Sequence, residues 1–337
     1  MLSLFSQRLL TVLQLTRMAL VFTALADSLT SLLLWAKWQV GPDESIRPLI
    51  TMPRVTAVAM MSIGLYGFGM SLNDIIDRRR DQTIAAHRPL PSGRIGIAAA
   101  HVVCALLGVC AVMGGLLVMW FGGSLSFVLL VFTGLLITFY DFAGKYLVTS
   151  GLLTLGLIRF FHATVAAPRL PLVWHPLVLM NHVTIISALA YKWEAKRPAL
   201  KREDWYKVFG GLAVLDALCI SLVALRRLQP TGGGLAEALW ITPGLFLPVA
   251  AILGFTMLAL TIRFIAGDTR RAGQTLMLYG LLWLIVYDAA FTAAYISPWA
   301  AGLILLLLPM AYLSVQVMRW WSKVLSLSQK PEFQRVR

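Results

Sequence analysis

The chain consists of long apolar runs separated by short polar stretches. Each run approaches the ~20 residues that a helix needs to cross a bilayer. Long continuous runs favour helices over a barrel, whose strands show ten-residue alternations. The pattern therefore predicts an all-α membrane protein, a multi-pass bundle of 9–10 transmembrane helices. The ten apolar segments are 17–36, 55–73, 97–119, 124–142, 150–167, 174–192, 206–226, 243–264, 274–295 and 298–319.

The composition supports a membrane protein. Of 337 residues, 59% are apolar and 13% are charged, whereas soluble domains have about 45–50% apolar and about 25% charged residues. A single soluble core cannot bury so much apolar sequence, which excludes a soluble enzyme, a disordered chain and a disulfide scaffold. No linker or long extramembrane segment interrupts the pattern, so we expect one transmembrane domain over residues 1–337.

The distribution of basic residues predicts the orientation. The net charge is +14, with 29 Lys and Arg. With the N-terminus inside, 22 of the 29 fall in cytoplasmic segments and six fall outside, the remaining one being within a span. Such a bias indicates cytoplasmic loops. We therefore expect both termini in the cytoplasm, membrane lipid as a partner and no nucleic acid.

The densest polar cluster, Asn73–Asp81, follows the second apolar segment. Asp74, Asp77 and Asp81 are spaced by three and four residues, which places them on one helical face with Asn73. Carboxylate and amide oxygens suit Mg²⁺, which binds one or two carboxylates together with substrate phosphate. The spacing alone also fits a solvated, mixed-charge helix end, because three arginines lie within the cluster.

The next stretch, His87–Ile95, contains two prolines and a glycine, which predict a rigid loop. Arg88 and Arg94 in this loop could contact phosphate oxygens. They could equally be ordinary basic anchors on the cytoplasmic side.

The two motifs together resemble the UbiA superfamily of intramembrane prenyltransferases. Asn73–Asp81 matches the family pattern N-D-x-x-D-x-x-x-D, and residues 88–93 match its R-P-L-P-S-G run. A weaker resemblance covers the first six apolar segments. Within it, Leu20–Leu32 resembles a less-characterised bacterial branch of the superfamily, which implies a location in a bacterial inner (plasma) membrane. The resemblance implies a bundle, usually of nine helices, around a cavity that opens laterally to lipid.

The resemblance also implies an activity and a site. It implies transfer of a prenyl group from an isoprenyl diphosphate, with Mg²⁺ as cofactor, to a lipophilic acceptor within the membrane; aromatic rings are among the acceptors of the family. The implied catalytic residues are Asp74, Asp77 and Asp81, which together with Asn73 also form the metal site. The implied contacts to the substrate are Arg88, Arg94, Tyr140, Lys145 and Arg159, and Arg17 before the first span also fits the family.

The segment after the sixth span departs from the family. A second aspartate motif is expected there, but Glu194 is the only acid at that position, and Pro198 stands four residues on. We expect Glu194 to be at most a weak metal ligand and Lys192 and Arg197 to contact the diphosphate instead. Each could also be an anchoring charge. The predicted active-site loops are 73–96 and 192–206.

Charged residues within spans are expensive and point to function by default. Arg159 is the strongest candidate, through its resemblance to a cavity arginine of the family. Asp27 could orient an acceptor or form an interhelical hydrogen bond. We treat Asp216 and Asp288 as structural.

Three alternative functions remain open. The altered second motif is compatible with a degenerate relative that binds isoprenoid or supports a pathway without catalysis. A transporter would show paired Gly/Pro interruptions near the midplane of two halves, whereas the polar residues here cluster at one membrane face. The chain has no D-G…A-R…G…D pattern of a phosphatidyltransferase.

Overall fold

The computed structural model describes residues 4–41, 44–231 and 234–328. These residues form thirteen α-helices and no strand. The helices are α1 Leu4–Leu15, α2 Val21–Gln39, α3 Met52–Ile84, α4 Ile97–Gly122, α5 Ser124–Phe142, α6 Val148–Val165, α7 Trp174–Trp193, α8 Arg202–Thr231, α9 Leu235–Ala238, α10 Phe246–Ile265, α11 Thr269–Tyr295, α12 Pro298–Leu305 and α13 Leu307–Ser328.

Every predicted apolar segment is helical. Among the described residues, nine helical stretches are long and apolar enough to cross a membrane, with α12 and α13 counted as one. The chain is therefore a multi-pass helical membrane protein. The predicted segment that is not among these nine is 174–192. It forms α7, whose 20 residues give about 30 Å of helix, the thickness of the hydrocarbon core.

The polarity of α7 has a structural explanation. His175, Asn181 and His182 lower its hydropathy, yet α7 packs between α6 and α11, and both histidines are buried. Their ring nitrogens bond to Asp288 and to the carbonyl of Gly280. Protein, rather than lipid, surrounds these polar groups.

The structure differs from the predicted segments in three places. The N-terminal helix α1 was not predicted, and α3 continues eleven residues beyond the predicted end at residue 73, to Ile84. The last segment is interrupted at Leu306, because Pro309 has no N–H to donate and its ring clashes with the carbonyl four residues earlier. The predicted cytoplasmic charges Lys330, Arg335 and Arg337 lie outside the described residues.

The α3–α4 pair has the most extensive packing in the bundle. A Cβ atom added to Gly64 would lie 2.4 Å from the Ala111 nitrogen, and one added to Gly114 would lie 2.3 Å from the Met61 nitrogen. Small residues allow such backbone contact between helices in lipid. This packing fixes the long helix that carries the aspartates.

Candidate active site at the C-terminal end of α3

Three buried aspartates form the centre of the site. Asp74, Asp77 and Asp81 are 4%, 3% and 1% exposed, although they lie in the last three turns of α3. Their burial on one helical face excludes the solvated helix end that the spacing alone allowed.

Four basic side chains from separate parts of the chain contact these carboxylates. Arg17 Nη2 lies 2.9 Å from Asp74 Oδ1, and Arg88 Nη1 lies 2.5 Å from Asp81 Oδ2. Asp77 contacts two cations: Lys145 Nζ lies 2.5 Å from its Oδ1 and Arg80 Nη2 lies 2.6 Å from its Oδ2. Lys145 and Arg17 were named from the family resemblance, whereas the role of Arg80 was not foreseen.

Arg17 sits at a tight junction between α1 and α2. Its backbone is left-handed, with φ of 47°, and its carbonyl accepts a hydrogen bond from the Tyr66 hydroxyl, at 3.1 Å. Burial, the largest single effect, lowers the pKa of the Arg17 guanidinium, but the charges of Asp74, Tyr66 and Asp81 and the hydrogen bond to Asp74 together outweigh it, so the pKa is raised. Arg17 therefore remains a cation at the site.

The loop between α3 and α4 contacts both α1 and the aspartate cluster. Arg94 donates to Gln14 Oε1 and to the His87 carbonyl, both at 2.6 Å. Leu90 packs against the fully buried Leu15 of α1. Arg94 therefore ties the loop to α1, while Arg88 of the same loop contacts the aspartates.

The α5–α6 junction supplies a further acid that the sequence did not single out. Asp141 is 2% exposed and interacts electrostatically with Lys145 and Asp77. Tyr140 also lies within electrostatic reach of Asp77 and Arg80. The signal for Asp141 was its position between Tyr140 and Lys145, both of which were named.

The aspartate face has the donor chemistry for a hard cation. Asp81 Oδ1 is buried and has no hydrogen-bond partner, and Asn73 lies one turn before Asp77. In the described part of the chain, no three Asp, Glu, His or Cys side chains already converge as a metal-binding group. Mg²⁺ needs only one or two carboxylates when phosphate completes its shell, so these residues fit that ion.

The second predicted loop, residues 192–206, carries the other predicted site residues, Glu194, Lys192 and Arg197. Glu194 directly follows α7. Its side chain is 16% exposed, and its Oε2 lies 3.3 Å from Lys196 Nζ. Lys192 lies over the Trp205 ring at 5.7 Å, and Arg197 is exposed. Within the described ranges, no hydrogen bond or ion pair joins residues 192–206 to the three aspartates.

Arg159 belongs to a different polar cluster, inside the bundle. It forms an ion pair with Asp27, and its Nη2 donates to the Thr23 carbonyl at 2.7 Å. Asp288 lies in the same region, 2.7 Å from His175, and interacts electrostatically with Arg159. Asp27 therefore makes the interhelical contact that was one of its two predicted roles.

Comparisons with known proteins bear on both the fold and the family. The model of the UbiA prenyltransferase family matches residues 24–193, which include the aspartates and the loop that follows. No curated protein matches the chain.

Two solved structures have a similar fold over most of the chain. A structure concerning digeranylgeranylglyceryl phosphate synthase in membranes has 17% identity and a TM-score of 0.56, and the match covers 86% of this chain and 99% of that one. A UbiA homologue from Archaeoglobus fulgidus bound to DMAPP and Mg²⁺ has 14% identity and a TM-score of 0.50, with 84% and 99% covered. At these identities the likeness concerns the fold alone.

Proposed function

Because the chain belongs to the UbiA prenyltransferase family, we propose that it transfers a prenyl group from an isoprenyl diphosphate to a lipophilic acceptor in the membrane. The reaction centre is the aspartate cluster at the end of α3. A homologue of this fold binds DMAPP and Mg²⁺, which supports the donor class and the cofactor.

One observation carries the proposal: three buried carboxylates contact four basic side chains from four places in the sequence. A metal–diphosphate site needs both kinds of group at one point. Carboxylates hold the metal, and fixed cations hold the phosphate oxygens that the metal does not reach.

Asn73, Asp74, Asp77 and Asp81 are the proposed Mg²⁺ ligands. Bound Mg²⁺ would stabilise the negative charge that develops on the leaving diphosphate. The orphaned Asp81 oxygen is the best-placed acceptor for a cation, because a buried acceptor without a partner is costly unless a ligand satisfies it.

The basic residues have the complementary task. Lys145 is only 7% exposed and is directed at Asp77, so it is already oriented within the site. With Mg²⁺ held by the aspartates, Arg17, Arg88 and Lys145 would be able to donate to the diphosphate oxygens. Arginine suits this role because its planar fork can donate two parallel hydrogen bonds to a phosphate.

The packing around the cluster limits access of water. Leu15 and Leu90 pack together with Ile75, the residue that follows Asp74 in α3, and Asp81 is almost fully covered. An electron-poor prenyl centre must be protected from water until the acceptor attacks, which is a general reason for a closed apolar site.

The orientation forms part of the proposal. Arg17, Arg88 and Lys145 come from three segments that the charge bias assigns to the cytoplasm, and all three meet at the end of α3. We place this end in the cytoplasm, with the chain in a bacterial inner membrane and both termini inside.

One feature favours a second candidate function, an isoprenoid-binding protein without catalysis. The segment after α7 has a single acid, Glu194, and it forms an ion pair with Lys196. Without a second metal, diphosphate could bind and fail to leave.

The decisive experiment reconstitutes the purified protein in nanodiscs with labelled prenyl diphosphates of several chain lengths and a panel of lipophilic acceptors. Mass spectrometry detects prenylated product, and diphosphate release is measured in parallel. We expect product that depends on Mg²⁺ and disappears in Asp77→Asn. Mg²⁺-dependent binding with no product would favour the second candidate, and absence of both binding and product would contradict the proposed site.

A further inference from the structure

A cavity of about 370 Å³ lies among α7, α8, α10 and α11. Helix α3, which carries the aspartates, and the segments that carry Arg17, Arg88 and Lys145 contribute no lining residue. Because α8 packs mainly on α6 and α9, and α10 mainly on α11, the cavity occupies the space between α8 and α10. Ile252 and Thr256 at its edge are exposed, so it opens towards lipid.

The cavity contains a carboxylate in the middle of a membrane span. Asp216 lies within the apolar stretch Arg202–Leu228, where an acidic side chain is expensive and marks a site by default. Its hydrogen-bond partner is Asn181, whose Nδ2 lies 2.9 and 3.1 Å from the two carboxylate oxygens. In the described part of the chain, no basic side chain forms an ion pair with it.

The donors that line the cavity already have acceptors. Asn181 Nδ2 also donates to the Leu177 carbonyl, at 2.9 Å. Trp174 Nε1 donates to the Leu239 carbonyl at 3.0 Å, and the Thr256 hydroxyl donates to the Ile252 carbonyl at 2.9 Å.

The donors of His182 and Tyr287 are also occupied by hydrogen bonds. His182 Nε2 lies 2.8 Å from the Gly280 carbonyl, which can only accept, so the ring proton is on Nε2. Neutral His182 then accepts at Nδ1, and the Tyr287 hydroxyl donates to it at 3.1 Å. The capacity that remains in the cavity is therefore acceptor capacity: the Asp216 carboxylate, the Asn181 carbonyl oxygen and the hydroxyl lone pairs.

We propose that this cavity binds a membrane-soluble molecule with an apolar body and a hydrogen-bond-donating head, a hydroxyl or an ammonium group, which pairs with Asp216. The aliphatic walls accept the body and the acceptors select the head. An anionic head is excluded by repulsion from Asp216. The site is separate from the aspartate cluster and does not depend on prenyl transfer.

Photolabelling tests the site directly. Purified protein is irradiated with a diazirine-bearing dodecanol, and labelled peptides are mapped by mass spectrometry. We expect labelling concentrated on α7, α8 and α10, and competition by dodecylamine or dodecanol but not by dodecanoate. The stronger of the two competitors identifies the head group. Labelling spread evenly over the lipid-facing helices, or competition by dodecanoate equal to that by dodecylamine, would overturn the proposal.

Matched variants locate the binding. Ile220→Trp fills the cavity and should abolish specific labelling, whereas Leu222→Trp, on the same helix but 58% exposed, should leave it unchanged. Ile185→Trp, from the α7 wall, replaces Ile220→Trp if that variant does not fold. Wild-type labelling in a folded cavity-filling variant would overturn the proposal.

Substitution of the carboxylate separates the two head groups. Asp216→Asn removes a charge-assisted bond of about 1.5–3 kcal/mol, so dodecylamine should compete about ten- to hundredfold more weakly. Dodecanol should lose less, because the amide oxygen still accepts. Unchanged competition by both compounds would show that Asp216 does not bind the head.

Discussion

At the scale of single residues, Asp77 connects two sources of positive charge. Lys145 reaches it from the α5–α6 junction and Arg80 from its own helix. Asp77 is also the only acid within four residues of both Asp74 and Asp81. A change at this position therefore affects the whole carboxylate face.

We predict that Asp77→Ala abolishes Mg²⁺-dependent binding of prenyl diphosphate while the fold is retained. The reason is loss of the central oxygen donor and release of Lys145. Binding is measured by equilibrium titration with and without Mg²⁺. Glu237→Gln, at an exposed residue of α9, is the control. Wild-type affinity in Asp77→Ala would place the metal site elsewhere.

A second prediction concerns the segment after α7, where the family's aspartates are replaced. If Lys and Arg neutralise part of the diphosphate, Arg197→Ala should weaken its binding by about 1.5–3 kcal/mol, the value of a hydrogen bond to a charged group. Glu194→Gln should then have little effect. Titration of both variants over a range of Mg²⁺ concentrations separates the cases. If Glu194→Gln needed much more Mg²⁺ to bind the diphosphate while Arg197→Ala bound it as tightly as the wild type, the result would indicate two metals.

The pair Asp27–Arg159 supports a third prediction. Asp27 is fully buried and Arg159 is 11% exposed, so removing one partner leaves the other charge uncompensated. Arg159→Met and Asp27→Asn should each cost about 3–5 kcal/mol of stability, and the double variant should lose less than the two losses combined. Thermal unfolding in detergent measures this. If the two stability losses simply added in the double variant, the pair would not be coupled. If a variant lost diphosphate binding without losing stability, the result would favour the substrate contact that the family implies for Arg159.

At the scale of helices, the α3–α4 contact determines where the aspartates stand. Gly64 and Gly114 let the two backbones touch, and Arg88 and Arg94 lie in the loop that joins the helices. A disturbance of this pair should therefore reach the site without any change in a charged residue.

We predict that Gly64→Val destabilises the protein and weakens diphosphate binding together. Its Cβ would meet backbone atoms of α4 at 2.4–2.8 Å, which side-chain motion cannot relieve, and overpacking of this kind costs about 1–3 kcal/mol or more. Thermal unfolding and ligand titration are the measurements. Gly134→Val is the control, because nothing lies within 4 Å of its Cβ position. Equal effects of the two substitutions would contradict the role of the close contact.

At the scale of the whole molecule, the bundle encloses polar groups at two depths. The aspartate cluster lies at one end of α3, and the Asp27–Arg159 cluster lies among the spans. Asp27, Asp74, Asp77 and Asp81 each contact a basic side chain of the protein, because an unpaired charge is expensive in the low dielectric of a bilayer.

The orientation of the molecule gives a prediction of its own. In a variant without Cys104, Cys110 and Cys219, single cysteines at Ser92 and Lys196 should react only after the inner face is exposed. Ser45→Cys should react from outside, because the basic residues place its loop there. Labelling of intact cells and of inverted vesicles with an impermeant maleimide distinguishes cytoplasmic from external positions. External labelling of position 92 or 196 would reverse the assigned topology and the location of the site.

The sequence by itself determined the spans and the motif. Hydrophobicity and helical spacing act within a single helix, so all ten apolar segments and the single face of Asp74, Asp77 and Asp81 could be predicted from local pattern. The family assignment also followed from local motifs, because Asn73–Asp81 and residues 88–93 are contiguous. The apolar pattern did not predict α1 or the last eleven residues of α3. Both are helical but lie outside the apolar runs by which a span is identified.

Only the tertiary structure decided which charges meet. Arg17 and Lys145 reach the aspartates across 57 and 68 positions of sequence, a separation on which helical periodicity has no bearing. The same holds for Arg159, which pairs with Asp27 on another helix, and for Asp216, whose surroundings come from four helices. The physical reason is that a buried charge must find its partner wherever packing brings one, and packing is a property of the whole bundle.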